Sequence, residues 1–136
     1  MSRPVIFRLY PEPEKGSLYI RVRVWASRAA MHRRVGHGRN WWAICLSNAP
    51  GTRRRPRMVA QIHVVRSQFC ASVMAHELLH AALLWGERVG IRLPAARGGF
   101  LRGDRLNDEE RLCGAVQEMM ERARARAVEF GLGDEW

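Results

Sequence analysis

Apolar and polar positions along the chain follow two periods, and the switches between them mark its elements. From Val5 to Tyr10 they alternate weakly, which predicts a strand. Leu18 to Trp25 alternates more strictly: Leu18, Ile20, Val22 and Val24 fall on one side, Tyr19, Arg21, Arg23 and Trp25 on the other. Pro11, Pro13 and Gly16 punctuate the stretch between, so these two strands are expected to form a hairpin. Ala26 to Val35 has helical composition and ends near Gly36 and Gly38. Trp41 to Leu46 is a short apolar strand candidate, and Ser47 to Pro56 is a polar loop. Met58 to Val65 alternates again, with Met58, Ala60, Ile62 and Val64 opposite Gln61 and His63. That spacing makes His63 an exposed strand histidine with no catalytic part.

A helical pattern follows, with Ser67 as its expected N-cap and Gly86 as its expected end. Glu87 to Arg105 shows no clear period and is expected to be a long connection. The last helix is expected from Asp108 to about Phe130, opened by Asn107 and closed by Gly131. No repeat interrupts the series. Residues 1–136 are therefore read as one α+β domain, with a small twisted, mostly antiparallel sheet packed on the two later helices.

Composition changes the picture in two ways. Lys and Arg number 23 against 13 Asp and Glu, a formal net charge of +10, and Lys15 is the only lysine. Such a surface attracts polyanions, so non-specific nucleic-acid contact through arginines is expected, although no reading helix or stacking platform is evident. Cys45, Cys70 and Cys113 are odd in number and far apart, and none forms a Cys-x-x-Cys pair. Neither a disulfide framework nor a cysteine zinc site is indicated, and a reduced, cytoplasmic setting is expected. The first ten residues lack the apolar run of a signal peptide, and no stretch is long enough to span a bilayer, so no membrane partner is expected.

The candidate chemistry lies in His76-Glu77-Leu78-Leu79-His80. On a helix, positions i and i+4 share a face, so the two imidazoles converge on a point that suits a zinc ion. Glu77, on the adjoining flank, is placed to act as general base toward a zinc-activated water. Apart from Cys70, these three are the only ionisable side chains from Gln68 to Gly86. A catalytic zinc usually takes a third protein ligand. No histidine follows His80, so a downstream carboxylate is the natural choice. Glu109 shares its helix face with Leu112, Cys113, Val116, Met119 and Met120, which turns it inward. Glu110 shares a face with Gly114, Gln117 and Glu121 and sits where an Asn107 cap would occupy it. Glu109 is thus preferred to Glu110 as the third metal ligand.

With Asp108-Glu109-Glu110-Arg111-Leu112-Cys113 on a later helix, the His-Glu-x-x-His segment resembles the gluzincin branch of zincin-like metallopeptidases. It is most similar to the small minigluzincin type and to metallopeptidases of phages and mobile elements. The likeness covers roughly Met58 to Met120 and departs from the family's fuller glutamate-helix signature at Leu112 and Cys113. It implies a sheet lying over the His-Glu-x-x-His helix, zinc as cofactor, and a protein or peptide substrate. It further implies an edge strand at Arg57 to Val65 that pairs with extended substrate. The competing expectation is a basic binding protein without catalysis, holding a structural metal or none, with a nucleic acid or protein as partner.

Overall fold

The computed structural model describes residues 3–36, 41–48, 54–92, 104–132 and 136. The elements are β1 (Val5–Leu9), β2 (Tyr19–Trp25), α1 (Arg28–Val35), β3 (Ala43–Ser47), β4 (Met58–Val65), a short 3-10 turn (Arg66–Gln68), α2 (Ala71–Arg88) and α3 (Asp104–Phe130). The class is α+β, as expected. The strands form one sheet in the order β1-β2-β4-β3. β1 and β2 are the expected antiparallel hairpin, β2 and β4 run parallel, and β3 returns antiparallel to β4. The sheet is therefore mixed.

That order corrects one expectation. β4 is not an edge strand, because β2 and β3 flank it on both sides; the edge beside α2 belongs to β3. It also explains why His63 is buried, at 3% exposure, where alternation predicted an exposed side chain. A strand covered on both faces loses its polar side, and alternation alone cannot report that. A register shift between Tyr19 and Ile20 breaks the phase at the start of β4, so Val59 joins the main core where Met58 was expected.

The inner face of the sheet carries Phe7, Leu9, Ile20, Val22, Val24, Ala60, Ile62 and Val64. α2 lies on β3 and β4 through Met74, Leu78, Ala81, Ala82 and Trp85, and α3 packs against α2 and β1. Buried Ala115, Met119, Ala123 and Ala127 recur every fourth residue along α3, and three of these four are alanines that permit close approach. On the outer face α1 covers one end of the sheet, where Met31 packs on Trp25 and Val65. Ser27 caps α1 by accepting from the Ala30 amide at 3.1 Å.

Both long helices differ from expectation at their ends. α2 begins after the short turn at Arg66–Gln68, with Cys70 at its N-cap, so Ser67 plays no capping role. It continues through Gly86 and stops at Gly90, whose φ of 79° admits a Schellman closure: the Ile91 amide donates to the Gly86 carbonyl at 2.8 Å. Gly86 stays helical and lies under Ile91 and Leu112, each about 3.5 Å from where a β-carbon would stand. Gly131, with φ 61°, ends α3 in the same way, through a Leu132 amide to Ala127 carbonyl bond of 2.8 Å. α3 begins at Asp104, which places Asn107 inside the helix and removes its capping role.

Two polar ties hold the helices to the sheet. Arg88 donates from α2 to the carbonyls of Pro56 and Asn48, at 2.8 and 2.7 Å. Arg111 of α3 makes a two-pronged ion pair with Glu12, at 2.6 and 2.8 Å, with its guanidinium over the Trp85 ring. No helix among the described residues is long and apolar enough to cross a membrane. Leu78→Ala, at a fully buried site between α2 and the sheet, should lower unfolding stability by about 2–5 kcal/mol in urea titration. A loss below about 0.5 kcal/mol would show that α2 is not seated as described.

Candidate metal centre and adjoining cleft

The packing of α2 decides where its polar residues point. Its apolar stripe faces the sheet, so the flank beyond it is exposed and carries His76 and His80. Their Nε2 atoms stand 3.3 Å apart, with the rings tilted edge to face at 75°. Two nitrogens at zinc-ligand distance on one tetrahedral ion are separated by about 3.3–3.4 Å. The imidazole pair therefore fits a shared metal. Without one, the same distance serves an N–H···N bond between the rings.

Glu77 sits one residue round the helix, where the exposed flank meets the interface, and is 8% exposed. Burial raises its pKa above the ordinary carboxylate value, and the neighbouring imidazoles, when charged, oppose that rise. It opens onto a cavity of about 690 Å³ between α2 and the edge strand. Glu77 and His80 form one wall, Ala43, Cys45 and Ser47 of β3 another, and Leu84, Ile91 and Leu112 the apolar end. Leu79 and Leu83, next to His80 on the same helix, are exposed.

Glu109 does not join the histidines. Cys113, one turn on and expected on the same inward face, is exposed, and so is Glu109. The buried stripe of α3 winds through Ala115, Met119, Ala123 and Ala127, so the inward bearing expected of Glu109 does not hold at this end of the helix. α3 packs with Leu112 over Gly86, near the C-terminal end of α2, which carries the preceding turn away from His80. The Asp108 carboxylate there accepts the Arg92 amide at 3.0 Å. Glu110 is exposed as well. Among the described residues no three His, Cys, Asp or Glu side chains gather as a metal site. His76, His80 and Glu77 are thus together, and Glu109 stands apart from them.

Cys45 is the site residue that sequence reasoning missed. Burial, with Glu77 as a negative neighbour, pushes its thiol up to about 12, so it stays protonated in the cleft wall. Only the pairing of β3 beside β4 brings it to Glu77, and no local spacing announces that. His63, in contrast, lies on the opposite sheet face against Trp25 and takes no part here.

No protein-family model, curated protein or solved structure matches the chain.

The shifts at Glu77 and His63 have opposite signs in a pH titration. Glu77, with its folded pKa raised, adds stability below the ordinary carboxylate range and loses it as pH rises. Glu77→Gln should therefore raise the thermal midpoint at pH 7 and leave it nearly unchanged at pH 4. His63, lowered to about 4 by burial and by the charges of Arg23, Arg21 and Arg34, resists protonation only in the fold. Stability should fall as pH drops from 6.5 toward 4, and less steeply in His63→Leu. Parallel pH profiles for native protein and both variants would refute these assignments.

Proposed function

We propose that this protein is a zinc-dependent peptidase of zincin-like type, working in the cytoplasm on a protein or peptide substrate. The observation that carries the reading is the convergence of His76 and His80 at metal-sharing distance, beside a buried carboxylate that opens onto a cleft. Bound by the two imidazoles, zinc would supply a water acidified toward neutrality and a Lewis acid for the scissile carbonyl. Glu77 would take a proton from the attacking water on a carboxylate oxygen and return it to the leaving amine. Its raised pKa brings it nearer the working pH of a proton shuttle.

Substrate is oriented by the outer edge of β3, the last strand of the sheet order, whose backbone groups can pair with an extended chain. Leu83, Leu84, Ile91 and Leu112 give the cleft an apolar lining that favours an apolar side chain next to the cleaved bond. Glu109 completes the ligand set in this reading. Because it stands apart from the imidazoles, that role requires the first turns of α3 to move toward α2.

Metal analysis of purified protein and cleavage of a mixed peptide pool test the proposal together. Native protein should retain zinc, and His80→Ala should lose it. Glu77→Gln should retain zinc while cleavage falls by about a hundredfold or more. Glu109→Ala should release zinc more readily than Glu110→Ala, read by competition with a chelator. If native protein holds little zinc and His80→Ala holds as much, the peptidase reading fails, and a binding role becomes the better account.

A further inference from the structure

The outer face of the sheet collects cations, and among the described residues no carboxylate is set among them. Strand register places Arg8 opposite Arg21, Arg21 opposite Gln61, and Arg23 opposite His63. Arg34, in the last turn of α1, joins Arg21, Arg23, Gln61 and His63 in lining a cavity of about 300 Å³, while the Arg8 guanidinium lies over the Tyr19 ring. Arg21 is 8% exposed, and the Nε atoms of Arg21 and Arg23 are buried with no hydrogen-bond partner among the described residues. Burial and neighbouring arginines disfavour the charge on both, and no carboxylate figures among the groups acting on them. Like charges on directly opposed strand positions repel, and a buried N–H of a cation left without an acceptor adds to that cost.

The polar groups around this cavity are donors. Guanidinium groups only donate. Gln61 Oε1 accepts from Arg21 at 2.9 Å, which fixes the amide orientation and leaves its Nε2 to donate. The Trp25 indole N–H donates to His63 Nδ1 at 3.1 Å, and the ring is held neutral, so its proton sits on Nε2. A ligand surrounded by donors and cations brings acceptors and negative charge. A phosphoryl group has both, and its oxygens match the guanidinium fork.

We propose that the cavity between α1 and the outer face of β2 and β4 binds a phosphate-type oxyanion, anchored by Arg21, Arg23 and Arg34 with Gln61 and His63 as neutral donors. The site lies across the sheet from His76, Glu77 and His80 and is independent of the metal. Its phosphoryl group comes from either a small phosphomonoester or a phosphodiester chain.

Calorimetric titration of the full chain at low fixed salt, with inorganic phosphate, a nucleoside monophosphate and a short oligodeoxythymidylate, tests the site. Saturable binding of phosphate is expected. Arg34→Gln, at an exposed helical position, should weaken it by about tenfold. Arg124→Gln, which removes an equal charge from the exposed side of α3, should leave it unchanged. Arg23→Met should abolish binding and raise the thermal midpoint in phosphate-free buffer, because it removes a cation that has no acidic partner among the described residues. Tighter binding of the oligonucleotide, lost equally in Arg34→Gln, assigns the phosphodiester source; otherwise the monoester is assigned. No saturable binding of any probe, or equal weakening in Arg34→Gln and Arg124→Gln, overturns the proposal.

Discussion

The arrangement depends on one apolar contact, the seating of α2 on the inner face of the sheet. Met74, Leu78, Ala81, Ala82 and Trp85 form its stripe, and all are nearly or fully buried. Once that stripe faces the strands, the rotation of the helix is fixed, because turning it would expose several large side chains at once. His76 and His80 then have to emerge on the open flank. Glu77 has to lie at the margin, partly desolvated. The placement of these three side chains thus follows from a hydrophobic constraint in which none of them takes part.

The sheet separates two electrostatic environments. On its inner side the Glu77 carboxyl and the Cys45 thiol line one cleft, and burial raises the pKa of both. On its outer side arginines crowd around a neutral histidine. Strand alternation generates this contrast: neighbouring residues of β2 point to opposite faces, so Val22 enters the core while Arg21 and Arg23 face away from it. The charged face is tolerated because long arginine side chains can bury their stems while keeping their heads near solvent. Arg21 and Arg23 go beyond that, since their Nε groups are buried without hydrogen-bond partners among the described residues.

The cleft side has its own mechanical frame. Arg88 and Asn48 hold the ends of the β3–β4 connection against the end of α2, through carbonyls of Pro56, Met58 and Arg55. Arg111 and Glu12 do the same between α3 and the first hairpin. These side-chain-to-loop ties lie beside β3, the last strand of the sheet order among the described residues.

Local periodicity alone determined most of the elements. β1, β2, β4 and α1 lie close to where alternation, caps and turn residues put them, because those signals act over a few neighbouring residues. The His76–His80 pair was legible for the same reason: it needs only one helical turn. What sequence could not supply was the lateral order of strands and the axial position of one helix against another. Alternation is silent on which strand neighbours which, so the edge fell to β3 instead of β4, and Cys45 and the arginine cavity went unseen. A helical wheel likewise assumes one straight inward face, whereas the buried stripe of α3 winds through Ala115, Met119, Ala123 and Ala127; near its start Glu109 and Cys113 therefore face outward, and Leu112 docks over Gly86. Those decisions belong to packing between segments distant in the chain, where shape and volume, more than spacing, select the partner.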